Sequence, residues 1–285
     1  MQATVNVYRV RKKLATWGAY LLLVVILAMI LFPIFWMVIT SFKTNQEIVS
    51  NVDILPKHWQ WRNYIDLWRQ VNFGMYFKNS MIICSVVTMI VTVLAMFSGY
   101  ALARYRFPGA DTFGLAVLAT QLIPGILFLL PLYQVFVTIK RKTGIPMIGS
   151  NLGAIVLYIA FYLPLSLWIL RSFFASIPRD LEEAAMIDGC SEFQAFLKVA
   201  VPLAAPGIVA TAIYVFLTAW DELMFAWVLN VKTIPVGIRL YVGQYQNRFD
   251  LMSAASVVVT IPVLITFFLF QKQMISGLTA GAVKE

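Results

Sequence analysis

The chain carries one histidine, His58, and two cysteines, Cys84 and Cys190, among 285 residues. A single histidine excludes a multi-histidine metal site, and no paired metal ligands stand elsewhere in the sequence. Two cysteines on different segments supply no disulfide framework. Cys84 reads as a small packing residue and His58 as an interfacial one. No Ser–His or Cys–His arrangement supports a membrane-embedded enzyme. A phosphate-cradling loop is missing too. The Lys-Thr pairs Lys43-Thr44, Lys142-Thr143 and Lys232-Thr233 lack the preceding glycines that let backbone N–H groups wrap phosphates. ATP hydrolysis by this chain is therefore unsupported. Charge is the largest shortage: Asp, Glu, Lys and Arg make up 12% of the chain, and apolar residues 61%. Soluble domains carry about 25% charged residues, so the composition is that of an integral membrane protein.

What is abundant is long apolar sequence. A span needs about 20 apolar residues, and six segments qualify: 17–39, 80–103, 113–138, 151–170, 204–229 and 253–270. The first is too long, and too free of a small-residue cleavage site, to be a signal peptide. Pro33, Pro124, Pro131, Pro164 and Pro262 fall within spans, where neighbouring helices or water can satisfy the freed carbonyls. They read as ordinary kinks. The fold expected is all-α: a polytopic membrane protein of six transmembrane helices, one domain over 17–270, with a cytoplasmic N-terminal segment 1–16 and a cytoplasmic tail 271–285. Six spans put both termini on one side, and Arg9, Arg11, Lys12 and Lys13 at the start of the first span favour the inside. The outer side then holds eleven bases against four acids and the inner side eleven against seven. The outer basic run Lys140-Arg141-Lys142 is a candidate docking patch for an acidic partner or an anionic solute. Trp61, Tyr64, Ile65 and Trp68 recur at helical spacing, as in an amphipathic helix at the lipid headgroup level.

The most informative polar interruption runs from Ile177 to Pro202. Pro178 suits a first helical position, and Asp180, Glu182 and Glu183 fall where the helix dipole favours carboxylates. Gly189 reads as a C-terminal stop. Ser191 and Gln194 have capping-box spacing for a second helix, along which Phe193, Phe196, Leu197 and Ala200 form one apolar stripe. Pro202 is expected to end it. Two short helices meeting at a bend, with carboxylates, alanines and an apolar edge, suit a groove in another protein.

Glu183-Ala184-Ala185, then Gly189, then Val199-Ala200-Val201-Pro202 resemble the EAA loop of ABC-importer permeases, with Val199 and Val201 where the family pattern has Ile and Leu. Other stretches are similar to the carbohydrate-importing, maltose-permease-like branch: Phe77-Lys78-Asn79-Ser80, Tyr100-Ala101-Leu102-Ala103-Arg104, Pro131-Leu132-Tyr133, Asp188-Gly189, Trp220-Asp221-Glu222-Leu223 in place of W-N-E-F, and the tail Gly277–Lys284. The resemblance covers the chain from about residue 75 onward.

The resemblance implies a transport subunit of a bacterial cytoplasmic membrane importer, without its own cofactor. It implies a second related permease and two ATPase subunits carrying ATP and Mg. An extracytoplasmic binding protein would deliver a saccharide. Nucleic acid has no part. Glu183, Ala184, Ala185, Asp188, Gly189, Phe193 and Pro202 would form the ATPase-coupling bend. Trp220, Asp221 and Glu222 are candidates for the solute pathway, through ring stacking and hydroxyl hydrogen bonds, or else cap and buttress the fifth span. An anionic saccharide or glycerol phosphate stays open as cargo. So does, from another class, an ion-coupled secondary transporter, for which Asp221 and Glu222 are the intramembrane ionisable groups.

Overall fold

The computed structural model describes residues 2–50, 53–243 and 247–280, with side chains between residues 16 and 272. The described part of the chain is helical. In order come α1 (Gln2–Thr40), α2 (Asn45–Ser50), α3 (Asn63–Gln70), α4 (Phe73–Arg104), α5 (Ala110–Ala119), α6 (Leu129–Thr143), α7 (Asn151–Ser176), α8 (Asp180–Ile187), α9 (Glu192–Ala195), α10 (Val201–Leu203), α11 (Ala205–Trp220), α12 (Met224–Val228), α13 (Ile234–Arg239) and α14 (Phe249–Ala280). Two compact units divide the chain: residues 1–71 with 241–258, and residues 72–240 with 259–285.

In the first unit, Asn63 donates to the carbonyls of Ser41 and Lys43, at 2.9 Å each, and so closes the turn after α1. Buried Lys43 lies 4.9 Å from the Trp36 ring centroid and donates to the Asp53 carbonyl. The Tyr241 hydroxyl donates to the Leu67 carbonyl. Arg248 pairs with the buried Asp250 carboxylate through two nitrogens, at 3.0 and 2.9 Å. On α3 the buried residues are Asn63 and Leu67, while Trp61, Ile65 and Trp68 are exposed. The expected aromatic stripe is therefore split: Tyr64 is half-buried, shares a hydrogen bond with Ser41 (2.7 Å) and packs with Trp61 against Phe42, while Ile65 and Trp68 remain exposed.

The second unit is built on the α4–α7 pair. Ile83, Val87, Val91, Ala95 and Gly99 follow one another at intervals of four on the buried face of α4. Such a row is a ridge that fits the grooves of a neighbouring helix. The closest approach is at Gly99, where an added Cβ would lie 2.9 Å from the Arg171 backbone nitrogen and 3.1 Å from the Leu167 carbonyl oxygen. Small residues at such crossings let backbones pack closely without help from water. Trp168 donates to the Gly114 carbonyl (3.0 Å) and Arg171 to Asp111 (3.0 Å), which ties α5 to α7.

Four helices are long and apolar enough to span a membrane alone: 16–40, α4, α7 and 249–272. Among the described residues two further apolar helix pairs are bent, and each would count as a span if its two halves cross together. The expected span 113–138, in which Pro124 and Pro131 read as ordinary kinks, is broken, its halves Ala110–Leu122 and Gly125–Thr143 meeting at 90°. Ile123, extended at φ −86 and ψ 122, and Pro124, at φ −54 and ψ 125, leave the helix between two 3-10 turns. Gln121 donates to the Phe161 carbonyl (3.1 Å) beside that break. By contrast Pro33, Pro164 and Pro262 sit inside continuous helices. The expected span 204–229 also differs. It ends at Trp220, and Glu192–Leu203 joins Ala205–Trp220 through a 73° bend. Glu222 draws the chain out of the helix there by accepting from the Phe225 and Ala226 N–H groups, at 2.7 and 3.0 Å.

Candidate functional site: the bend from 177 to 203

Two short helices do form here. α8 starts two residues after Pro178, with Arg179 at its N-cap, so the proline precedes the helix instead of opening it. Gly189 has φ 93, a left-handed conformation open to glycine at no steric cost. The Ser191–Gln194 capping box is present in both directions, at 3.3 and 3.0 Å. Beyond α9 the winding widens into a π-helical turn, Phe196–Ala200. The helix then runs through Pro202, which was expected to end it, and stops at Leu203. Proline is tolerated because a π-turn skips the N–H that a residue at 202 would otherwise donate.

The apolar stripe divides in two. Phe196 and Ala200 are buried, together with Ala95, Leu170, Phe174, Ile177 and Ala204. The Phe196 ring lies 4.5 Å from Tyr100 and 6.1 Å from Phe174, centroid to centroid. Phe193 and Leu197, on the other edge of the stripe, are exposed, and so is Ile187, at 86%. A helical arc about 100° wide is wider than the space the α4–α7 end offers, so one edge packs and the other is left over.

The carboxylates divide in the same way. Consecutive helical residues point about 100° apart, and here Glu182 and Glu183 meet different surroundings. Glu183, Ala184 and Asp188 are exposed and Ala185 is half-buried. Glu182 is buried against the end of α4. Its Oε1 accepts from Arg104 Nε at 2.8 Å, and its Oε2 accepts from the Tyr100 hydroxyl. The Arg104 and Glu182 side chains are each 8% exposed. Arg104 also donates to the Ile177 carbonyl (3.0 Å), and Arg179 returns the connection by donating to the Arg104 carbonyl (2.9 Å). Two arginines thus cross between α4 and α8 in opposite directions. Taking one partner out of such a buried pair costs about 3–5 kcal/mol, because the other charge is left desolvated. Beside them the Tyr105 hydroxyl donates to Glu192 (3.0 Å), which holds the phenol above its ordinary range.

Arg104, Tyr100 and Glu182 were not singled out as site residues from sequence. The Glu182-Glu183 doublet offered a signal, since adjacent helical carboxylates point in different directions and an arginine at a span terminus could receive one of them.

The other candidates lie apart from the bend. Trp220 is buried, stacked on Phe216 at 5.4 Å, and its Nε1 has no hydrogen-bond partner. Glu222 accepts from the Tyr158 hydroxyl as well as capping α12. Of the three, only Asp221 is exposed. Lys140, Arg141 and Lys142 form the exposed last turn of α6, where the helix dipole favours cations. A cavity of about 490 Å³ lies beside the Pro124 break, with Phe113, Gln121, Phe128, Leu132, Phe161 and Pro164 in its walls. The tail resemblance at Gly277–Lys284 lies outside the described side chains, and residues 281–285 lie outside the described residues altogether.

Residues 92–274 match the family described as the binding-protein-dependent transport system inner membrane component. The diacetylchitobiose uptake system permease protein NgcG of Streptomyces coelicolor is 32% identical, over 93% of this chain and 88% of its own. The trehalose/maltose transport system permease protein MalG of Thermococcus litoralis is 36% identical, over 89% and 91%. Among solved structures, a chain of a bacterial ABC transporter involved in import of the acidic polysaccharide alginate aligns at TM-score 0.75 and 20% identity, covering 92% of this chain and 97% of that one. The chain belongs to this family: it is a multi-pass inner membrane permease of a binding-protein-dependent ABC importer, a transport subunit whose ATP hydrolysis resides in partner subunits. The ion-coupled alternative finds no support.

Proposed function

We propose that this permease, paired with a second one, forms the path for a saccharide that the binding protein delivers, and that the 177–203 bend seats in a groove of an ATPase subunit. Two such subunits, carrying ATP and Mg, would each hold one bend, and both termini would be cytoplasmic. The observation that carries this reading is the two-faced bend. Phe196, Ala200 and Glu182 fasten it to its own unit, while Glu183, Ala184, Ile187, Phe193 and Leu197 remain uncovered beside the Gly189 turn. Exposed apolar side chains next to carboxylates and small residues suit a close protein contact. The relatives' sugar cargoes support a saccharide, as does the aromatic-walled cavity with Gln121 in it. Asp221 would then be the member of the Trp220 group open to solute, with Trp220 and Glu222 setting its position.

Gly189→Asp tests the seating. The variant is expected to reach the membrane yet lose co-purification with the ATPase subunits, because aspartate at φ 93 is strained and its charge sits on the uncovered face. Normal co-purification would remove the reading. The cargo is identified by mass spectrometry of the solute retained by the purified binding protein. An anionic saccharide or glycerol phosphate is the second reading, favoured by the exposed Lys140-Arg141-Lys142 turn.

A further inference from the structure

The way the bend is fastened says where a push on it would go. α8 follows α7 in sequence through Ile177–Arg179 only, and a short connection of that kind could swing. Its side chains are nevertheless fixed to a different helix, α4. Arg104 on α4 reaches the Glu182 carboxylate on α8 and the Ile177 carbonyl before it, while Arg179 reaches back to the Ala103 and Arg104 carbonyls. Tyr100, one turn earlier on α4, holds the second carboxylate oxygen and also packs edge-on against Phe174 of α7 (5.4 Å). These contacts are directional and mostly buried. They define distance and angle, whereas apolar contacts allow sliding. On the far side of the bend the chain is built differently. The π-helical turn is followed by a 73° break at Ala204 before α11 begins.

We infer that Arg104 and Glu182, with Tyr100, are positioning residues that make α4, α7 and α8 one rigid body, so that motion imposed on the bend is delivered to α4. The inference rests on the docking reading above. It goes beyond it in naming which spans move with the bend and which residues enforce this. An interlocked, desolvated pair suits the task because interfaces of this kind hold one arrangement instead of deforming gradually.

The test is a distance measurement in the assembled importer, between spin labels at Asp180→Cys on α8 and Met89→Cys on α4, in a Cys190→Ser background. Both labelled positions are exposed, and Cys84 is buried. Spectra are taken without nucleotide and with ATP, Mg and vanadate. In the native background the distance is expected to keep one narrow peak at the same position in both states. In the double variant Arg104→Met/Glu182→Leu that peak is expected to broaden or shift with nucleotide. The double variant is chosen because replacing both charges with apolar side chains of similar size commonly preserves folding. Its thermal unfolding midpoint checks this, and co-purification with the ATPase subunits checks assembly. A native distance that changes between states overturns the inference. So does a double variant that folds, assembles and keeps the narrow, unmoving peak, since the pair would then be packing alone. If the double variant fails to fold, Tyr100→Phe takes its place: a widened distribution supports the inference and an unchanged one overturns it. Failure of the docking reading itself shows separately, in the Gly189→Asp co-purification.

Discussion

Two places in the second unit put carboxylates next to helix ends, and they use them differently. At the 177–203 bend, Glu182 faces a fixed positive charge on another helix, and its neighbour Glu183 is left exposed. At the end of α11, Glu222 meets no cation among its described partners. It accepts from two backbone N–H groups of the next turn and from the Tyr158 hydroxyl, and its neighbour Asp221 is the exposed one. One carboxylate joins two helices by charge; the other shapes a turn by capping. In both doublets the less exposed carboxylate, Glu182 buried and Glu222 half-buried, organises the fold, and its neighbour is exposed. The physical cause is shared. Desolvating a carboxylate requires donors already in place, and a doublet pointing in two directions can supply them to only one member.

Removing the donors separately sharpens the contrast. Arg104→Ala should have the largest effect, lowering stability by about 3–5 kcal/mol because Glu182 is left buried and uncompensated. Thermal unfolding of the detergent-solubilised protein measures it, and a midpoint equal to the native one would erase the distinction between the two regions. Glu222→Ala should cost less, about 1–3 kcal/mol, since it strands neutral donors, the Tyr158 hydroxyl among them. The same measurement applies, and a loss larger than that of Arg104→Ala would reverse the ranking.

The smallest effect belongs to the rim of the bend. Tyr105 is held neutral above its ordinary 10.0 chiefly by the hydrogen bond it donates to Glu192. A group whose folded pKa is raised adds stability that is complete below the unfolded value and fades as pH climbs through the folded one. The stability difference between native protein and Tyr105→Phe should therefore be constant from neutral pH to about 9 and shrink above about 10. A difference that grows in alkali would show that Glu192 does not hold this proton.

Much of the site could be read in the residues. The capping box at Ser191 and Gln194 and the left-handed stop at Gly189 follow from rules confined to a few neighbouring residues, so no tertiary knowledge was needed. The long apolar helices were legible for the same reason, since apolar length is a local property. Span shape was not. Pro124 breaks its helix by 90° whereas Pro164 and Pro262 do not. The difference lies in what lies alongside, such as Gln121 donating to the Phe161 carbonyl. At Pro202 the helix runs one residue further than expected, to Leu203, before the 73° bend.

The sequence by itself determined that this chain is a helical membrane protein with a bent polar segment between apolar runs, because composition, apolar run length and capping chemistry act within one turn or one span of the residues that carry them. Only the tertiary structure decided that Glu182, and not Glu183, is the residue tied to α4, and that Phe196 packs while Phe193 stays exposed. Those choices depend on which groups arrive from helices some 80 residues away in sequence, as Arg104 does for Glu182, and no local pattern encodes such an arrival.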